Sequence, residues 1–183
     1  DQRPGLARHG GRLARRTPTL PVSTPYRLAT AADVPALAAL YRATALTLGP
    51  QVYTPDQVRA WARSTDDLER FTSYILDART LIASDDDGSP SGFCGVSVQV
   101  DRGEVHSLYV RAGLTRRGLG TALLAHAMNK ARDDGARRFE AWATPFSRPV
   151  FERAGFALRE VVTEPYQGVL FERYRMASPG AAG

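Results

Sequence analysis

The spacing of apolar residues changes along the chain and marks out its elements. Val34, Leu37, Ala38, Tyr41 and Ala45 recur at three- and four-residue steps, which predicts a helix over 31–48. Thr30 followed by Asp33 opens it in the manner of a capping box. Gly49-Pro50 ends this helix, and Thr54-Pro55 starts another, with Thr54 as N-cap, Pro55 at the first helical position, and Val58 and Trp61 on one face. A third short helix is expected near Asp66 to Phe71. From Arg79 the period changes: Thr80 to Ala83, a turn at Asp85-Asp86-Asp87-Gly88, Phe93 to Val100, a turn at Asp101-Arg102-Gly103, and Glu104 to Val110 read as a three-stranded antiparallel meander. Helical spacing returns over Arg117 to Asp134, where Leu119, Leu123, Ala127 and Ala131 stand four apart and Gly135 closes the run. Arg137 to Ala143 reads as a strand, Arg148 to Ala154 as a short helix, and Ala157 to Val162 with Val169 to Met176 as a closing hairpin. The order βαα(α)βββαβαββ predicts an α/β (α+β) fold, a mixed, mostly antiparallel sheet of about six to seven strands with helices on both faces.

Length adds that 183 residues, 43% of them hydrophobic, suit one domain with one buried core. Charge is unevenly placed. Residues 1–25 hold Arg3, Arg8, Arg12, Arg15 and Arg16 against Asp1 alone, so +4 of the net +5 lies there and the rest of the chain is nearly neutral. With no apolar periodicity, 1–25 reads as a disordered Arg/Pro-rich tail, 26–178 as the domain and 179–183 as a disordered end. A nucleic-acid-binding arm is the competing reading of that tail. No run of 18 apolar residues exists to span a bilayer and no secretory h-region opens the chain, so a cytoplasmic protein with no membrane partner is expected. Cys94 is the only cysteine, and His9, His106 and His126 are far apart, so neither a disulfide nor a metal site is expected.

The densest chemistry lies where a strand meets a helix. Arg116-Arg117-Gly118-Leu119-Gly120-Thr121 follows Leu108-Tyr109-Val110 and opens the helix. Glycines there let a phosphate approach the backbone, and amides at a helix N-terminus point at it with the helix dipole behind them. A tight turn needing glycine only for its φ angles would look the same. The spacing fits neither a GxGxxG fingerprint nor a Walker loop, whose lysine is missing, since Lys130 lies inside the helix.

Leu108-Tyr109-Val110, Thr115-Arg116-Arg117-Gly118-Leu119-Gly120 and Val150-Phe151-Glu152-Arg153-Ala154-Gly155-Phe156, in this order and spacing, resemble the GNAT superfamily of N-acetyltransferases over about Tyr26 to Met176. The segment Gln51 to Val58 with Trp61 is similar to a subgroup of small bacterial members. The resemblance implies acetyl-CoA as co-substrate and no metal. It implies that amides of Arg116, Arg117, Gly118, Leu119, Gly120 and Thr121 surround the pyrophosphate, and that a bulged fourth strand splays from the fifth so that pantetheine pairs near Leu108, Tyr109 and Val110. Two positions depart from the family pattern: Thr115 replaces its Gln or Arg, and Thr144 its Asn. Phe151 replaces the tyrosine that many members use to protonate the departing thiolate.

Amine acetylation needs a group to remove a proton. Glu104 falls where the resemblance puts the base of several members, and His106, two residues on, shares its face by strand alternation. Either residue fits, and so does a solvated or structural role for each. Tyr166 and Tyr109 are the hydroxyls open to replace the missing one at 151; as packed aromatics they would serve equally well. The expected acceptor is a small-molecule or peptide amine and the expected assembly a monomer or homodimer. An acetyl-CoA-binding module with little turnover, and nucleic-acid binding through the tail, are the alternatives.

Overall fold

The computed structural model describes residues 26–179. The tail reading of 1–25 and all of the 179–183 reading beyond Pro179 fall outside those residues. The elements are β1 (Tyr26–Leu28), α1 (Val34–Leu48), α2 (Pro55–Ala62), α3 (Leu68–Leu76), β2 (Leu81–Ser84), β3 (Pro90–Gln99), β4 (Arg102–Val110), α4 (Leu119–Asp133), β5 (Arg138–Ala143), α5 (Arg148–Arg153), β6 (Ala157–Tyr166) and β7 (Val169–Ala177). The capping box predicted at Thr30 and Asp33 forms, and the predicted N-cap Thr54 is part of a second one with Gln57. The Asp33 carboxylate accepts from the amide and hydroxyl of Thr30, both at 2.8 Å, and the Arg27 guanidinium bonded to it holds its pKa well below the usual carboxylate range. Thr54 and Gln57 bond reciprocally at the head of α2, and the Gln57 side chain also donates to Leu170 C=O at 2.8 Å, tying α2 to β7. Helix α3 runs on to Leu76, beyond the expected Phe71, because Phe71 and Ile75, one turn apart, both bury their side chains.

Among the described residues, seven strands form one sheet in the order β1-β2-β3-β4-β5-β7-β6, and only the β4/β5 pair is parallel. Helices α4 and α5 cover one face with a core that includes Leu123, Leu124, Phe139, Phe151 and Met176. Helices α1 to α3 cover the other, around Leu37, Tyr41, Trp61, Phe71 and Phe93.

Two irregularities open the sheet at its centre. Gly95 faces Ser107 but Val96 faces Val105, so His106 is the extra residue of a β-bulge in β4. The β4/β5 ladder covers only Arg102–Val105 against Arg138–Ala141; beyond it β4 stays with β3 and β5 with β7. A bulge bends its strand and increases its twist, which turns β4 away from β5 at that point. The closed end is correspondingly tight: a Cβ on Gly103 would stand 2.6 Å from the Phe139 ring, so only glycine fits opposite that phenylalanine.

Candidate active site

Three features converge on the open stretch of β4. The first is the turn into α4. Gly118 adopts φ 86°, which demands glycine, and Arg116, with φ 62°, holds a left-handed conformation that a side-chain-bearing residue rarely takes. The first α-helical bond runs from the Ala122 N–H to the Gly118 C=O at 3.0 Å, so the amides of Leu119, Gly120 and Thr121 precede it and point out of the helix end without a helical acceptor. Gly120 is informative in another way. A Cβ there would meet only Val110 Cγ2 at 3.5 Å, ordinary contact, and its φ is not positive, so neither packing nor backbone conformation requires glycine. What glycine adds at 120 is open access to those amides. Arg116 and Arg117 are exposed and form no ion pair among the described residues. Thr115 donates its hydroxyl to Ala112 C=O at 2.9 Å, closing the preceding turn rather than facing the helix end.

The second is the gap itself. Leu108 and Val110 lean toward the α4 core and Tyr109 toward the α1–α3 core, while β5 no longer pairs with the strand that carries them. Across the gap, Thr144 and Ser147 bond reciprocally, the Thr144 N–H to Ser147 Oγ at 2.9 Å and the Ser147 N–H to Thr144 Oγ1 at 3.3 Å, so Thr144 organises the start of α5. Phe151 is 3% exposed and packs edge-on against Phe156.

The third is the polar end of β4. Val105 belongs to the α4 core, so Glu104 projects from the opposite face, half-buried and without a hydrogen bond or ion pair among the described residues. Regular alternation would put His106 beside it, but the bulge breaks the alternation at that residue. The shared face is restored by a contact: Ser97 is Glu104's register partner, and the His106 Nε2 lies 2.6 Å from the Ser97 hydroxyl. Tyr74 adds a second tie by donating its hydroxyl to the His106 carbonyl at 2.9 Å. Neither partner was apparent from sequence, since Ser97 and Tyr74 meet His106 only through strand register and helix docking.

Above this end lies an aromatic wall. Trp61 donates its indole N–H to the Tyr109 hydroxyl at 3.2 Å, and the Tyr166 and Ser64 hydroxyls lie 2.5 Å apart. Tyr53, Trp61, Phe146 and Phe171 pack mutually, with centroids 5.2 to 6.0 Å apart. Burial pushes the phenols of Tyr41, Tyr74 and Tyr109 well above their ordinary pKa, and that of Tyr53 to about 12, so each is a neutral hydroxyl at physiological pH. The structure thus brings Tyr109 and Tyr166 to the same wall as Trp61, on the Glu104 face, and leaves Phe151 on the other. Cys94 is buried and its thiol is pushed upward, as expected of a core residue. Among the described residues no helix is long and apolar enough to cross a membrane.

Comparison with known proteins agrees with this geometry. The family model described as Acetyltransferase (GNAT) family matches residues 49–156. Streptothricin acetyltransferase of Streptomyces lavendulae is 32% identical over 101 residues, 52% of this chain and 53% of that protein, so the chain spans about half the length of this curated relative. A GCN5-related N-acetyltransferase from Rhodopseudomonas palustris superposes with a TM-score of 0.77 at 26% identity, covering 87% of this chain and 98% of that one. The PaiA N-acetyltransferase of Thermoplasma acidophilum, solved with coenzyme A, gives a TM-score of 0.70 at 16% identity over 84% and 97% of the two chains. With the strand-turn-helix, the bulge and the splayed strands all inside or beside the matched span, the chain belongs to the GNAT acetyltransferase family.

Proposed function

We propose that this protein transfers the acetyl group of acetyl-CoA to an amine by direct attack in a ternary complex. The observation that carries the reading is the juxtaposition of the open helix end at Gly118–Thr121 with the unpaired stretch of β4 that begins at the His106 bulge. Backbone amides of the turn, aided by the macrodipole of the fifteen-residue α4, hold the pyrophosphate. Pantetheine lies along β4 at Leu108 to Val110, completing the interrupted ladder as an added strand does. The PaiA neighbour's coenzyme A complex supports this choice of ligand.

The thioester then sits at the closed end of the gap, with the acceptor on the α1–α3 face. Glu104, the unengaged carboxylate there, takes the proton from the attacking amine, directly or through one water. His106, fixed by Ser97 and Tyr74, borders the same space and orients that water. The tetrahedral intermediate collapses with breakage of the C–S bond. Coenzyme A leaves as a thiolate, consistent with an ordinary thiol pKa of about 8.5 and the lack of a hydroxyl at 151.

The test is steady-state thiol release over an amine panel. Glu104→Gln lowers kcat/KM by about 10² to 10⁴ and leaves the acetyl-CoA-induced thermal shift unchanged. Near-wild-type rates in both Glu104→Gln and His106→Ala, from roughly pH 6 to 9, would rule out a side-chain base and leave preorganised backbone and water to carry the step.

A further inference from the structure

The acceptor face carries a cation that the chemistry of acetyl transfer does not need. Trp142 is the first β5 residue past the last β4/β5 pair, Val105 with Ala141, so it borders the gap. Its neighbours Ala141 and Ala143 belong to the α4 core, which turns the indole to the opposite face, the one that holds Glu104. The Arg173 guanidinium lies over this indole, 5.4 Å from the ring centroid. Its Nη1 donates to Glu164 at 2.7 Å, and the side chain is one-third exposed. Indole and carboxylate together hold the guanidinium in one orientation, while its remaining N–H groups have no acceptor among the described residues.

Nearby arginines also face carboxylates, at longer range than the 2.7 Å from Arg173 to Glu164. Arg175 faces Glu140 and Glu160 at 3.8 and 3.9 Å, and Arg102 faces Glu140 at 3.8 Å. Arg173 alone among these arginines is laid across the border of the gap.

We propose that Arg173, held over Trp142 and braced by Glu164, is a specificity residue that binds a carboxylate of the acceptor, so that the preferred substrate is an amino acid or a similar amine bearing a carboxylate a few bonds from the reacting nitrogen. The inference rests on the acetyl-transfer reading for its substrate role. Its chemistry is that of a planar guanidinium, whose paired N–H groups match the two oxygens of a carboxylate. Preorganisation removes most of the ordering cost that an unrestrained arginine would carry into binding.

The experiment compares amino acids with their decarboxylated partners, such as phenylalanine with phenethylamine and histidine with histamine. Coenzyme A release is read for turnover, and calorimetric titration in the presence of coenzyme A is read for binding. The carboxylate-bearing partner is expected to be favoured by about tenfold or more in both readouts. Arg173→Gln should remove that preference, chiefly through KM, while leaving the decarboxylated amine and the acetyl-CoA thermal shift unchanged; Arg173→Lys should retain part of it. Equal use of the two series by the wild type, or an equal loss for both in Arg173→Gln, overturns the assignment. Carboxylate-dependent binding without thiol release would instead sink the transfer reading and keep the binding site.

Discussion

Gly120→Ala separates the two explanations of the glycine-rich turn because they differ in sign. If glycine at 120 serves the fold, alanine destabilises the free protein. If it serves the ligand, alanine stabilises the free protein and weakens the complex. The structure favours the second. The added methyl meets only Val110 Cγ2 at 3.5 Å, and residue 120 is the second of α4 with no left-handed backbone to preserve. Alanine in a helix is worth about 0.5–1 kcal/mol over glycine, less in a first turn, which for a chain of this size raises Tm by roughly 1–4 °C. A ligand at a hundredfold excess over Kd stabilises by about 2.7 kcal/mol. A methyl that keeps phosphate oxygens off the amides and costs about tenfold to a hundredfold in affinity reduces that to roughly 1.4 or 0.4 kcal/mol at the same concentration. Differential scanning fluorimetry with and without acetyl-CoA reads both quantities in one titration. A lower Tm for the free variant, or an undiminished acetyl-CoA shift, would refute the cradle as argued from Gly120; Gly120→Asp, which adds charge repulsion, should abolish the shift altogether.

Phe151→Tyr tests the position that lacks a hydroxyl: because the ring is 3% exposed against Phe156, the new hydroxyl is buried, and a loss of about 1–3 kcal/mol in stability with no gain in kcat is expected. A higher kcat at unchanged Tm would show instead that the hydroxyl reaches the departing sulfur. Asp33→Asn tests the tie between β1 and α1. The folded-state pKa of Asp33 is depressed by Arg27, so its contribution is fully present above the unfolded value of about 3.9 and is lost as pH falls toward the folded one. The variant should be less stable by about 1 kcal/mol near pH 7, with the two chemical-denaturation curves converging as pH falls well below about 4; a constant difference across that range would contradict the ion-pair account.

Much of this protein is legible in the chain because local physics and tertiary packing agree. The helices of Val34–Leu48 and Pro55–Ala62 begin at Thr30-to-Asp33 and Thr54-to-Gln57 caps that any reader of side-chain chemistry can place, and the β2–β4 meander follows from period-two runs separated by turn residues. The turn at Gly118 and Gly120 is likewise a local feature, set by which residues lack a Cβ. What only the folded structure decides depends on contacts between distant segments. Strand alternation predicted a shared face for Glu104 and His106, but whether a strand bulges is settled by the register it keeps with its neighbour, and here the bulge falls on His106 itself. The residues that then fix His106, Ser97 at its imidazole and Tyr74 at its backbone carbonyl, come from β3 and α3, and no local pattern links them to position 106. The same holds for Arg173 over Trp142: each reads as an ordinary strand residue until the β5/β7 pairing sets them together at the edge of the gap. Sequence determines the elements through short-range sterics and periodic burial, whereas the site exists only where non-local pairing stops, and the point at which two strands part is a property of the whole sheet.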